Sequence, residues 1–359
     1  MASPAPVAPT SPTAAAAASP AAADSPQQPE AAQIEADNLP LIEHDVEETD
    51  TDSALDERLS AYTASLTSSV VDYPVEHGRR FHAFRPGAYT MPNDEKEMDR
   101  LDLHHHMVVL ALGKKLFTAP IDKDKTHRVL DIGTGTGIWA IEVGDILPGA
   151  EILGNDLSAI QPAWVPPNVK FEVDDVESEW THPAPFDYIF CRYLIGSISD
   201  WPKLVKKTFD NVRPGGFVEF QDYNLLIYSE DGSMTEEHHT YKWVTRIIEL
   251  ISSVGRIASP GPLLEGWVRD AGFVNVTHKR IKLPVGPWAK DRDLKEVGTC
   301  NLIQTLAGLE GFSVRMLCGV GGWTNQEAQV LLAKVREEMR RPGMHQQYDL
   351  HVVVGQKPE

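Results

Sequence analysis

The sequence predicts an α/β fold, a parallel sheet with helices on both faces. Three observations carry this expectation. A short apolar strand at 128–132 runs through a glycine-rich turn into a helix. Strands and short helical crossovers then alternate as far as Asp222. The acidic balance and the lack of any long apolar run leave that alternation as the chain's main organisation. The 359 residues hold 33 Lys and Arg against 52 Asp and Glu, a formal net charge of −19, which argues against direct, phosphate-driven nucleic-acid binding. No run of about 18 uncharged apolar residues is present, so no membrane span is expected.

Taken in order, the chain begins with an Ala/Pro-rich stretch and then an acidic run, Glu43 to Asp56. The first sixty residues hold twelve acids and one base, Arg58, and the first aromatic is Tyr62. Such a segment has too little apolar surface to offset about 1–2 kcal/mol of backbone entropy per residue, so residues 1–74 read as a disordered tail. The tail suits a solubilising role, with docking to protein partners as the alternative. It lacks the basic n-region of a secretory signal and the arginines of a transit peptide. Cys191, Cys300 and Cys318 form no Cys-x-x-Cys pair, which fits a reducing, intracellular compartment. The expected location is the cytoplasm, with the nucleus as the alternative.

The body, residues 75–359, reads as one domain. Residues 94–118 place Met98, Leu101, His105, Val108, Leu112 and Leu116 on one helical stripe, with Asp94 and Glu97 as a capping-box-like start. Strands follow at 128–132, 151–155, 169–173, 186–191 and 216–221. A helix opens after 137, and another runs from Asp200 and Pro202 to an Arg-Pro-Gly-Gly stop. Helices are then expected at 236–255, 262–273, 291–310 and 325–340, with strands at 274–284 and from Tyr348 onward. Helical insertions are placed at about 223–262 and 285–325.

Val129 to Gly137, VLDIGTGTG, carries the chemistry. Glycines at 133, 135 and 137 let backbone approach a ligand and turn N–H groups towards it. A phosphate-binding loop needs a Lys that is absent, and a dinucleotide fingerprint needs its third glycine at 138, which is Ile. The spacing, with Asp131 two residues before the first glycine, points to S-adenosylmethionine, whose amino-acid end the turn and Asp131 would hold. Asp156, at the end of the second strand, is placed to accept both ribose hydroxyls. Asp174, Asp175 and Val176 close the third strand, placed to flank the adenine.

The runs GRRFHAFRPGAYTMPNDEKEMDRLDLHHHMVVLALGKKLFTAPI and RVLDIGTGTGIWAIEVGDILPGAEILGNDLSAIQPAWVPPNVKFEVDDVESEWT resemble the fungal class I methyltransferases related to the secondary-metabolism regulator LaeA. The DWPKL helix, the RPGGFVEFQD strand and the closing YDLHVVVGQKP extend the resemblance over about residues 76–357. It implies a Rossmann-like, seven-stranded, mostly parallel sheet with a reversed last strand and helical lid insertions. It also implies S-adenosylmethionine at the carboxyl ends of the strands, with Tyr89 and Asp99-Arg100-Leu101-Asp102 closing over it. The cofactor contacts so expected are Tyr89, Arg100, Asp131, Gly133, Thr134, Gly135, Gly137, Asp156, Leu157, Asp174, Asp175, Val176 and Arg192. Where the LaeA branch has GCGTG, this chain has GTGTG, which places it among the LaeA-like enzymes rather than as the regulator itself. The implied activity is methylation of a small-molecule acceptor in secondary metabolism. A regulatory protein acting through protein partners is the rival reading.

Other residues invite function and are weighed on geometry. His104, His105 and His106 are adjacent on a helix and so diverge by about 100° each, which argues against a shared metal. His105 is expected in the core or facing the cofactor. His238 or His239 is a candidate general base if the inserted helix forms a lid. Arg192 or Tyr193 is expected to line the cofactor site, and Gln221, Asp222 and Tyr223 the acceptor rim. Trp139 reads as core. Trp243, Trp267, Trp288 and Trp323 read as lid packing, with one or two facing a flat acceptor.

Overall fold

The computed structural model describes residues 73–83 and 91–359. The disordered-tail expectation for 1–72 and the cofactor role expected of Tyr89 fall outside the described residues.

A two-stranded ribbon, β1 (Val75–Glu76) and β2 (Arg79–Arg80), precedes helix α1 (Glu95–Ala111). Then come β3 (Arg128–Ile132), α2 (Ile138–Ile146), β4 (Glu151–Asp156), β5 (Val169–Val173), β6 (Phe186–Arg192), α3 (Trp201–Asn211) and β7 (Val212–Tyr228). The C-terminal part holds α4 (His239–Ser253), α5 (Leu264–Asp270), β8 (Val274–Val285), α6 (Arg292–Val314), α7 (Asn325–Met339) and β9 (Gln346–Gln356). The main sheet has seven strands in the order β5-β4-β3-β6-β7-β9-β8. β3 pairs in parallel with β4 and β6, while β9 is antiparallel to both β7 and β8. The reversed last strand is therefore present.

Strand alternation distributes the core. Leu130, Ile132, Ile189, Val218, Phe220 and Val353 pack one face against Leu204 and Val205 of α3 and Leu264 and Val268 of α5. Val129, Tyr188, Phe190 and Val354 pack the other face against Trp139, Ala140 and Val143 of α2. Both faces of the central strands are buried, which is why those strands are almost continuously apolar. A separate cluster joins Trp243, Val244, Ile247 and Leu250 of α4 to Leu309 of α6 and Leu332 and Val335 of α7. The inserted helices thus have a core of their own.

Three elements differ from the sequence expectation. The helix at 94–118 ends at Ala111, where Gly113 takes a left-handed φ of 69°. Its buried face comprises Glu97, Arg100, His104, His105, Met107 and Val108, rotated from the apolar stripe so that polar groups point inward. Asp94 accepts the Glu97 N–H at 3.1 Å, but the Glu97 carboxylate turns to Arg100 instead of back to the cap. β7 begins at Val212 and runs to Tyr228, past the expected insertion boundary at 223, because β9 continues to pair with it as far as Tyr228↔Gln347. α6 extends to Val314 and passes into a π-helical turn, Arg315–Val320.

Candidate functional site

The carboxyl ends of β3, β4, β5 and β6 open onto a cavity of about 160 Å³, the crevice where open α/β sheets bind ligands. The glycine turn forms its floor. Gly133, Gly135 and Gly137 have φ of 67°, 58° and 81°, left-handed values that disfavour any side chain. At Gly133 a Cβ would also lie 2.6 Å from Leu194 Cδ2, and at Gly137 it would strike the Phe171 ring. Gly137 opens α2 behind the cavity rather than lining it.

The turn's N–H groups do not all face the cavity as expected. Thr134 N–H donates to the Asn155 carbonyl at 2.9 Å, Gly135 N–H to Asp156 Oδ2 at 2.9 Å, and Gly137 N–H to the Thr134 carbonyl. These bonds lock the turn to the end of β4. Gln161 Nε2 adds a 2.6 Å bond to the Gly135 carbonyl.

Carboxylates dominate the cavity's wall. Asp131 is 3% exposed and accepts the Thr134 hydroxyl at 2.6 Å; burial pushes its pKa up to about 7. Asp156 accepts Gly135 N–H through one oxygen and Ser158 N–H through the other, each at 2.9 Å, and burial raises its pKa. A carboxylate has about four lone-pair directions, so two N–H bonds leave capacity for a diol. Asp174 is fixed by its own N–H to the Asp156 carbonyl and accepts from Asp175 N–H. Glu177, not singled out from sequence, accepts from Ser199 N–H and O–H and from Asp200 N–H, joining the exit of β5 to the loop after β6.

Across the cavity, Arg192 ends β6 almost fully buried. Its guanidinium donates to Gln221 Oε1 at 2.7 Å and to the Leu116 carbonyl at 3.1 Å, and lies 3.1 Å from His105 Nδ1. His105 Nε2 is 3.0 Å from Glu142. Burial and then Arg192 hold the His105 pKa near 3, so the ring is neutral, accepting from Arg192 and donating to Glu142. His104 points elsewhere: it stacks on Tyr193 at 4.2 Å and bonds Tyr223 Oη at 2.7 Å. His106 is exposed. The three histidines diverge as their helical spacing requires.

The structure brings together, around one cavity, Asp131, Gly133, Thr134, Gly135, Asp156, Leu157, Asp174, Asp175, Val176 and Arg192. Arg100 is not among the lining residues. It is 2% exposed between α1 and α6, bonded to Glu97 at 2.7 Å and to Gln304 at 2.8 Å. Asp102 accepts the Thr136 hydroxyl at 2.6 Å and so ties α1 to the glycine turn. Of the Asp99–Asp102 stretch Leu101 lines the cavity, and the cavity adds His104, Phe190, Leu194, Ser197 and Ile198. Leu194, Ser197 and Ile198 come from the loop after β6, where Gly196 takes a left-handed φ of 64°. Trp139 is core as expected, stacked face to face on Phe190 at 3.8 Å, though its edge reaches the cavity wall.

Gln221, Asp222 and Tyr223 do not form a rim. They are buried and brace the lining from behind: Gln221 holds Arg192, Asp222 accepts the Leu194 N–H, and Tyr223 holds His104. His239 bonds Glu338 at 2.7 Å, and neither it nor His238 lines the cavity. Trp243, Trp267, Trp288 and Trp323 are likewise absent from its lining.

A methyltransferase-domain family model matches residues 103–278. The methyltransferase pytC of Aspergillus terreus is 44% identical over 318 residues, covering 88% of this chain and 95% of that one. The secondary metabolism regulator LAE1 of Cochliobolus heterostrophus is 31% identical, covering 79% of this chain and 95% of that one.

This chain belongs to the LaeA-like family of fungal class I methyltransferases.

The protein-methionine methyltransferase laeA of Emericella nidulans is 32% identical, covering 79% of this chain and 76% of that one. As a member of that family the protein is an S-adenosylmethionine-dependent methyltransferase. Its cavity fits that cofactor. A wall of four strand-end carboxylates suits a sulfonium cation and a ribose, and the buried Arg192 offers the only guanidinium among the lining residues. The cofactor supplies an electrophilic methyl group with a built-in leaving group, so the protein's tasks are alignment and exclusion of water.

Proposed function

We propose that this LaeA-like methyltransferase methylates a small molecule of fungal secondary metabolism. The observation that carries the reading is likeness over most of the chain: 44% identity to the methyltransferase pytC over 88% of it, against 31% to the regulator LAE1 and 32% to the protein-methionine methyltransferase laeA, each over 79%. The GTGTG turn, Gly133–Gly137, agrees with it.

In this reading Asp156 takes the ribose hydroxyls, Leu157, Asp174, Asp175 and Val176 flank the adenine, and Asp131, Gly133–Gly135 and Arg192 take the amino-acid end. Each such charge-assisted hydrogen bond contributes about 1.5–3 kcal/mol. The nucleoside then lies over β4 and β5, which sends the methyl group towards β6 and α1. The test is incubation of the pure protein with methyl-labelled S-adenosylmethionine and a host extract, followed by separation of metabolites from proteins. Label in a metabolite supports the proposal. Label confined to protein favours the rival reading, a regulator acting on protein partners.

A further inference from the structure

At the β6 end of the cavity stands His104, a histidine that the sequence pattern passed over in favour of His105. We infer that His104 is the catalytic residue that takes the acceptor's proton, with Tyr223 as its positioning residue. The inference rests on the reading of a small-molecule acceptor that gives up a proton, such as a hydroxyl.

His104 is 3% exposed, yet it lines the cavity. Its Nε2 is engaged by Tyr223 Oη at 2.7 Å, and its Nδ1 has no partner among the described residues. His105, by contrast, has both ring nitrogens committed, to Arg192 and Glu142. The ring is held rigidly, stacked on Tyr193 at 4.2 Å with the Tyr223 ring edge-on at 5.7 Å. Tyr193 itself sits at φ 61°, a left-handed conformation that costs a bulky residue energy. Its N–H donates to the Gln221 carbonyl at 3.0 Å, which keeps that conformation and hence the stack.

The cofactor's place over β4 and β5 puts this corner on the methyl side. The role requires the tautomer in which Nε2–H donates to Tyr223 Oη, which leaves the lone pair on Nδ1 of a ring that lines the cavity. As the acceptor oxygen forms its bond to the methyl carbon, the S–CH3 electron pair returns to sulfur. The O–H bond breaks and its proton passes to Nδ1, giving an imidazolium that later releases it to solvent. Burial, together with Arg100 and Arg192, holds the His104 pKa well below the ordinary value. That direction favours the neutral ring. The transfer is favourable because bond formation to the methyl carbon acidifies the acceptor's O–H as the transition state is reached.

The experiment has two arms. In the first, His104→Asn and Tyr223→Phe are compared with wild type for label transfer from S-adenosylmethionine to the extract fraction that wild type labels. S-adenosylhomocysteine affinity is measured in parallel. General-base loss is worth 10²–10⁴-fold, so His104→Asn should lose at least about 100-fold in transfer, with S-adenosylhomocysteine affinity unchanged within about threefold. Tyr223→Phe should lower kcat with little change in KM. Transfer at the wild-type rate by His104→Asn overturns the proposal. Label confined to protein sinks the small-molecule reading alone, since loss of that label in His104→Asn still supports the role. The second arm needs no acceptor. Diethylpyrocarbonate at pH 6, read by mass spectrometry, should modify His104 and spare His105, and S-adenosylhomocysteine should protect His104. A His104 that is unreactive, or reactive without protection, overturns the proposal.

Discussion

Asp131 concentrates the site's electrostatics in one residue. Buried, with the Thr134 hydroxyl as its one hydrogen-bond partner among the described residues, it has a pKa raised from 3.8 to about 7. A ligand carrying ammonium and sulfonium charges binds the ionised form better, so cofactor affinity should fall as pH drops below about 7. Stability runs the other way. A carboxyl whose folded pKa is raised contributes stability that is complete below its unfolded pKa and lost as pH rises through about 7. Asp131→Asn should therefore raise the melting temperature of the free protein at pH 8 more than at pH 5, and flatten the pH dependence of S-adenosylhomocysteine binding between pH 5.5 and 8. Calorimetry across that range checks both. Affinity that keeps the wild-type pH slope in the variant would move the titrating group elsewhere, with Asp156 the next candidate. Gly137 is the matching steric case. Its φ of 81° and the Phe171 ring leave no room for Cβ, and Gly137→Ala should cost at least about 1–2 kcal/mol, read by chemical denaturation.

Helices α1 and α4 show what packing does with similar patterns. The sequence reading allowed Trp243 of α4 either to pack the lid or to face an acceptor. It packs: Trp243 and its neighbour Ile247 are each 4% exposed in the insertion's own core, and Trp243 Nε1 donates to Ser313 Oγ at 2.8 Å. Trp243→Ala should cost about 3–5 kcal/mol of stability without a separate effect on acceptor turnover. A normal melting curve with selective loss of turnover would reinstate the lid role. On α1, Arg100→Ala would leave the buried Glu97 carboxylate, among the described residues, with only its 3.9 Å contact to Arg79 and should cost about 3–5 kcal/mol, while S-adenosylhomocysteine affinity measured below the melting transition is retained. The strands and the glycine turn were legible because their signals are local: a short apolar run, three glycines at fixed spacing, an acid at each strand end. The inward face of α1 was not. Glu97, Arg100 and His104 are buried because Gln304, Tyr193 and Tyr223, distant in sequence, meet them there. Likewise β7 runs on to Tyr228 only because β9 pairs with it.

At the scale of the whole molecule, the work is divided between layers. The sheet presents four strand ends to one cavity, α1 closes one side of it, and the insertions α4 and α6 build a separate core with α7. All seven main-sheet strands and their covering helices lie within 95–356. Combined with the acidic, aromatic-poor composition of the first sixty residues, this predicts that a chain lacking residues 1–72 keeps its melting temperature and cofactor affinity; a fall of many degrees would contradict it. The family model and the relatives fix the reaction class, but the proposal that this cavity holds the cofactor rests on Asp156 at the end of β4. The most direct test is titration calorimetry of wild type and Asp156→Ala with S-adenosylhomocysteine. Wild type should bind in the micromolar range, about −8 kcal/mol, and ignore NADH, while Asp156→Ala should bind at least about tenfold more weakly with its fold intact. Equal affinity in the two proteins would contradict the account.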